Sequence, residues 1–305
     1  MITTLFLIQV LNGLQFGLIL FLIAAGLTLV FGVMDFINLA HGVQYMVGAY
    51  FAAAFTAYTG NFFFGLLMAL PAALALGLVL ELLVFRHLYG RDHLDQVLAT
   101  FGIILFLNQA VKFIWGAAPL SVPVPEILSG SVSLGNLFYP VYRFAVIGAG
   151  LAVAALLYVL VNHTRVGMLV RAGASNAPMV SALGVDIRRL FTIVFGFGAM
   201  LAGFAGAMVA PILSVEPGMG DNILILAFVV IVIGGIGSIR GAFLAALLVG
   251  LVDVVGRSFA PNVLRAFLDP SMASQTGRAI APMLIYILMA AVLFFRPSGL
   301  FPVKR

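Results

Sequence analysis

Three residues in the stretch "FGVMDFINLAHGVQYMVGAY", residues 31–50, invite chemistry. An acid, an amide and an imidazole (Asp35, Asn38 and His41) stand in otherwise apolar sequence, fenced by Gly32 and Gly42. Groups of this kind ligate metals, trade protons or line a path for a polar solute. The sequence argues against a metal or covalent site. There is no H-E-x-x-H pair and no second histidine near His41, and the absence of cysteine excludes thiolate ligands and disulfides. His87, His93 and His163 fall in connecting loops. With no nucleophile and base together, an intramembrane enzyme is the weakest reading. Three others stand: an ion or proton relay at Asp35 and His41, a polar joint lining a path, and an inter-helix turn with Asp and Asn in turn roles.

A second polar interruption, "GGIGSIRG", contributes Gly234, Gly235, Gly237 and Ser238. No Lys-Ser or Lys-Thr follows its glycines, so it is not a phosphate loop, and the whole chain contains no G-x-x-x-x-G-K-[ST].

The elements that must hold these residues are dictated by composition. The 305 residues are 64% hydrophobic and 8% charged, against about a quarter charged in soluble domains. Met1–Met34 and Phe36–Leu80 carry no Asp, Glu, Lys or Arg, and each run exceeds the roughly 20 residues that cross a bilayer as a helix. Lipid offers the backbone no hydrogen bonds, so spans are helices or closed barrels. Continuous apolar runs, without ten-residue alternation, point to helices. The N-terminus lacks a basic n-region and a cleavage site, and reads as a retained first span.

The expected fold is all-α: a polytopic helical membrane bundle of about eight to nine spans, some broken or re-entrant. Nine apolar segments fall at about 5–32, 42–58, 62–85, 96–115, 140–162, 190–212, 222–236, 241–256 and 280–296. Residues 1–305 read as one transmembrane domain, because the polar stretches 116–139, 163–189 and 257–279 are too short to fold alone. The two interruptions share a pattern of apolar run, glycine-marked polar break and apolar run with small residues. Paired broken segments of this sort flag a transport path, with Gly32, Asp35, Asn38, His41, Gly42, Gly234, Gly235, Gly237 and Ser238 at the breaks; chance similarity in glycine-rich apolar sequence is the competing explanation.

Basic residues orient the bundle. Arg86 and Arg91, then Arg165, Arg171, Arg188 and Arg189, then Arg296, Lys304 and Arg305 mark three cytoplasmic regions. Alternation then puts 116–139 and 213–221 outside, with the N-terminus external and the C-terminus cytoplasmic. The stretch 257–279 should be external yet carries Arg257, Arg265 and Arg278. The net charge of +5 reflects this bias rather than nucleic-acid binding. Glu81 with Arg86, and Asp253 with Arg257, read as pairs at span ends, beside Arg143. Trp115 with Lys112, and Tyr139 with Tyr142, read as an interfacial belt.

The loop "TRVGMLVRAGASNAPMVSALGVDIRRL", 164–190, holds a short helix, 175–184. Ser175 or Asn176 caps it, Pro178 is tolerated in its first turn, and Gly184 ends it left-handed. Met179, Val180 and Leu183 share a face at spacings of three and four. A two-turn helix is marginal alone and needs a partner surface; the competing reading is a connector lying on the headgroups.

This loop resembles the coupling helix of ABC-importer permeases. With "GLTLVFGVMDFINLAHGVQYMVGAY" (26–50) and "IVIGGIGSIRGAFLAALLVG" (231–250), in the expected order and nearly end to end, the chain is similar to permeases of branched-chain amino acid importers, the shorter of their two permease subunits. The family usually opens the coupling helix with acidic residues; Ser175, Asn176 and Pro178 stand here instead, so an acid-to-arginine contact with the ATPase is not carried over. The resemblance implies coupling through Arg171, Ser175, Asn176, Met179, Val180, Leu183 and Gly184. It implies a second permease subunit as heterodimer partner, two cytoplasmic ATPases that bind the ATP and magnesium, and a periplasmic or extracellular binding protein. It also implies a bacterial or archaeal cytoplasmic (inner) membrane, with no cofactor and no catalysis in this chain. Branched-chain or other hydrophobic amino acids are the expected substrate. Urea, amides or small carboxylates are the alternative for the same machine, and a passive channel or secondary transporter for small polar solutes is a further one.

Overall fold

Each of the nine apolar segments has become a helix. The computed structural model describes residues 2–134 and 137–302; Lys304 and Arg305, counted above among the orienting cations, lie outside the described residues. The order is α1 (Ile2–Met34), α2 (His41–Thr59), α3 (Phe62–Leu83), α4 (His93–Trp115), β1 (Ser131–Leu134), β2 (Leu137–Pro140), α5 (Val141–His163), α6 (Arg165–Ala182), α7 (Ile187–Val209), α8 (Met219–Gly234), α9 (Ile239–Leu264), α10 (Pro270–Ile280) and α11 (Met283–Phe295). The strands form one antiparallel hairpin with Val132 opposite Tyr139.

Six helices are long and apolar enough to cross a membrane (α1, α3, α4, α5, α7 and α9), and a seventh span forms if α10 and α11, bent by 51°, count as one. The count is below the eight to nine apolar segments for a physical reason. The opening turns of α2 carry His41, Gln44 and Tyr45, and α8 has only 16 residues. By length and composition neither is counted among those six.

Burial sorts the helices into layers. In α1, 83% of the most apolar window is buried, against 17% in α4 and in α5. Every residue of α2 from His41 to Tyr50 is buried. Lipid tails are as apolar as leucine, so close fit rather than hydrophobic burial holds such helices together, and small residues permit it. The inner contacts follow that rule. Gly17 of α1 lies against α9, where a Cβ would come within 2.8 Å of the Ala246 carbonyl oxygen. Gly13 meets Leu251 and Gly32 meets Gly237, so α1 and α9 run antiparallel. Gly48 of α2 meets Gly203 of α7 with the same intimacy.

The ends of the bundle are distinct. At one end lie the end of α1, the 84–92 turn, α6 and the C-terminal residues 298–301. Gln96 joins the turn to Ile37, Gly173 of α6 packs by Val33, and the chain at Leu300 and Phe301 bonds the end of α8. At the other end Leu120 and Val215 exchange backbone hydrogen bonds of 2.9 Å, tying together the loops 116–130 and 210–218. The α9–α10 corner, where Gly277 packs on Pro261, lies at that end too. The basic regions 86–95 and 163–189 therefore share an end, and the two loops expected opposite them share the other.

Candidate functional site

The first helix break is built from side chains. Asp35 is the only non-glycine among the described residues with positive φ, +51°, and its N–H donates to the Phe31 carbonyl at 3.0 Å. Aspartate tolerates the left-handed conformation better than most residues, so it closes α1 where glycine is common. Phe36 then buries its ring against Phe85 and Tyr89. The Ile37 N–H donates to Gln96 Oε1 at 3.2 Å, while Gln96 Nε2 donates to the carbonyls of Leu88 (3.3 Å) and Arg91 (3.2 Å). One buried amide from α4 thus satisfies backbone groups on two loops.

His41 reaches back across the bundle. Its Nε2 lies 3.1 Å from the Ile23 carbonyl oxygen, and Gly26 leaves the space, since a Cβ there would sit 2.9 Å from that nitrogen. Ile23 precedes the last residue of α1 by eleven positions, about 16 Å at the 1.5 Å helical rise. The chain therefore runs to the end of α1, returns, and starts α2 inside the bundle. The first turn of α2 then abuts the first turn of α8, Gly42 against Gly220.

Asp35, Asn38 and His41, three residues apart, do not share a helical face: only His41 is in a helix, Asp35 is exposed, and Asn38 is buried in the connecting segment. The αL residue ends the periodicity on which a common face depends. Among the described residues, the side-chain amides of Asn38 and Gln44 and His41 Nδ1 are buried without a protein partner. No cluster of three or more His, Asp or Glu suited to a metal occurs among the described residues.

The second break is built from backbone. Gly235 (φ +99°) and Gly237 (φ +82°) turn the chain, and Ser238 Oγ accepts from the Gly241 N–H at 3.1 Å to cap α9. The carbonyls freed at the end of α8 are answered by the C-terminal segment: Leu300 N–H donates to Ile233 O (2.8 Å) and Phe301 N–H to Gly234 O (3.0 Å). A broken helix in lipid requires such partners.

The loop helix forms with sharper boundaries than the sequence gave it. In α6 the backbone leaves helical geometry at Asn176 (φ −158°, ψ 85°), and Asn176 Oδ1 accepts from the Met179 N–H at 2.9 Å. Asn176, not Ser175, is the cap. Gly184 (φ +88°) ends the turn: its N–H donates to Ser181 O (2.9 Å), and Val185 N–H to Val180 O (3.3 Å), the paired bonds of a Schellman stop. The expected common face splits: Met179 and Leu183 are 60% and 78% exposed, whereas Val180 is 7% exposed and turned into the protein. Met179 and Val180 are successive residues, about 100° apart around a helix of 3.6 residues per turn, so the packed side takes one and leaves the other.

The end of α1, the second break and α6 meet at a cavity of about 730 Å³ between α1, α5, α6 and α9, whose lining includes Gly32, Gly237, Ser238, Arg171 and Ser175. Asp35, Asn38 and His41 do not line it.

The charged pairs form, with one change. Asp253 meets Arg257 at 2.8 Å. Glu81 does not reach outward; it is 1% exposed, 2.9 Å from Thr192 Oγ1, 3.2 Å from Tyr89 Oη and 3.7 Å from Arg86. Burial, then the Glu81 carboxylate beside it, raises the Tyr89 hydroxyl above its ordinary pKa. Tyr139 and Tyr142 are not belt residues: both are buried, donating to Asn12 Oδ1 and the Met208 carbonyl, and Arg143 joins Tyr139 on Asn12. Gln96, Asn12, Thr192 and the 298–301 segment went unnoticed in the sequence, because uncharged polar residues at span ends look ordinary there. An amide a few residues into an apolar run is the signal that points to Gln96.

Comparison with known proteins follows the same outline. Residues 9–295 match the model of the family described as branched-chain amino acid transport system / permease component. The chain is 30% identical to the high-affinity branched-chain amino acid transport system permease protein BraD of Pseudomonas aeruginosa, over 96% of this chain and 94% of the relative. It is 30% identical to the permease protein LivH of the corresponding system of Escherichia coli, over 83% and 87%, and 29% identical to LivM of that system, over 94% and 69%. No solved structure matches.

Proposed function

Because the chain belongs to the family of branched-chain amino acid transport permeases, we propose that it moves branched-chain or other hydrophobic amino acids across the inner membrane by alternating access. It would be driven by separate ATPases and fed by a binding protein. A second permease subunit completes the pore in this reading, which the similarity to both LivH and LivM supports. The end carrying α6 and the 84–92 turn faces the cytoplasm, with the C-terminus, because the arginines collect there. ATP and magnesium bind the partner ATPases, and this chain transports rather than catalyses.

The observation that carries the reading is the helix 177–182 with its flanking stops. It is fixed by an asparagine cap and a Schellman stop, yet leaves Met179 and Leu183 bare. A rigid, capped projection with two exposed apolar side chains fits a groove on another protein. The rest of α6 carries motion inward, since Gly173 packs by Val33 near the end of α1 and Arg171 and Ser175 border the cavity shared with Gly32 and Gly237. ATPase closure would tilt α6 and, through it, the two breaks. A ligand or partner shifts such an equilibrium only by binding the two states unequally, and the contact at Met179 and Leu183 is where this would happen.

The test is Leu183→Glu, with co-purification of the ATPases and uptake of labelled leucine both measured. Association and uptake should each fall about tenfold or more, the loss of a buried apolar anchor. Unchanged uptake removes the coupling role. Thermal-shift screening of the partner binding protein against leucine, urea and small carboxylates decides the substrate.

A further inference from the structure

The cavity between α1, α5, α6 and α9 has two unlike parts. Its walls are apolar, with Phe21 and Leu29 from α1, Leu157 and Val161 from α5, and Phe243 from α9. Its mouth carries Arg171, Arg240 and Ser175, and among the described residues no acidic one lines it. Both arginines are exposed, and among the described residues neither pairs with a carboxylate. The Arg240 guanidinium is steadied 5.4 Å above the Tyr158 ring, a cation–π contact that leaves its N–H donors free.

The dimensions are those of one leaflet. The lining on α1 runs from Gly32 at the mouth to Phe21, eleven residues, about 16 Å along the helix. Half of a hydrocarbon core of roughly 30 Å is about 15 Å. An apolar slot one leaflet deep with two free cations at its rim matches a phosphodiester on a hydrocarbon chain.

We propose that this crevice binds an anionic phospholipid, its headgroup phosphate on Arg171 and Arg240 and an acyl chain along α1. A free phosphate ion would have no use for the apolar slot, and a protein segment would have to supply its own acids to the mouth. The site joins α6 to the start of α9, so the lipid bridges the loop helix and the second break and favours the conformation in which Arg171 and Arg240 are close. The inference rests on the chain spanning a bilayer and not on what it transports.

The test uses the permease with its partner chains, purified in neutral detergent. Phosphatidylglycerol, phosphatidylcholine and inorganic phosphate are added separately, and apparent Kd and Tm are read for each. Phosphatidylglycerol should bind at least about tenfold tighter than phosphatidylcholine. Arg171→Gln and Arg240→Gln should each reduce that preference about fivefold, and the double lysine variant should retain it, separating charge from misfolding. Leu29→Trp, which fills the slot, should weaken binding of both lipids. Equal binding of the two lipids overturns the proposal, as does a double glutamine variant that keeps the preference. A stabilisation reproduced by phosphate alone makes the site one for a free anion. A preference seen only in the isolated subunit and lost in the assembled complex shows that protein covers the face instead.

Discussion

The two helix breaks solve one problem by different means. At residues 35–40 the chain leaves the helix at a left-handed aspartate and turns into α2 at 39–40, and a single remote side chain, Gln96, answers the freed Ile37 N–H. At 235–238 the turn is short and glycine-made, and backbone from the C-terminal segment answers the freed carbonyls of α8. The first leaves buried amides of Asn38 and Gln44 without protein partners; the second uses its one polar side chain, Ser238, as a cap. A break closed by backbone is stiff and intolerant of substitution. One closed by side chains is adjustable, and keeps polar groups facing the interior. The first is the natural place for polar contacts that change during transport, the second for a fixed pivot.

Substitutions sharpen or break that contrast, beginning with the pivot. Gly235→Val should be the most damaging, by about 3 kcal/mol or more. The new side chain meets a φ of +99° and the Phe301 carbonyl oxygen 3.0 Å from the Cβ position. Thermal unfolding in detergent measures it; a normal Tm would mean the turn is not stiff. Gln96→Ala should cost about 2 kcal/mol by stripping the Ile37 N–H and the Leu88 and Arg91 carbonyls of their partner. Gln96→Glu keeps the acceptor, loses both donors and should fall between. Removing the α9 cap with Ser238→Ala should cost about 1 kcal/mol in the same assay. Smallest is Asp35→Asn, below about 0.5 kcal/mol, because asparagine tolerates the left-handed conformation equally well and the side chain is exposed. Loss of uptake in that variant, with ATPase assembly and turnover intact, would restore a relay at Asp35 and end the description of the first break as structural.

Individual elements show how far the sequence reaches. Caps are local: Gly184 was legible as a left-handed stop, and a polar residue at 175 or 176 as a cap, because both depend on a few neighbouring backbone groups. Pairing at i and i+4 is local too, and Asp253 with Arg257 appears as expected. Partners far apart in sequence were not legible. Nothing near residue 12 announces Tyr139 and Arg143, and nothing near residue 233 announces Leu300. The spacing of three at Asp35, Asn38 and His41 carries no common face, because Asp35 closes one helix and His41 opens the next.

The sequence by itself determined the solvent and the class. Long uncharged runs exclude water, lipid then demands helices, and the ordered motifs identify a transport permease. The tertiary structure decided depth and company: that α2 begins beside Ile23 and opposite Gly220, that the loop helix turns Val180 inward, and that the last turn of α1 and the second break border one arginine-rimmed cavity. Hydrophobicity cannot supply those answers, since in lipid it does not distinguish one helix neighbour from another. Close glycine contacts and single buried hydrogen bonds do, and they exist only once the helices are packed.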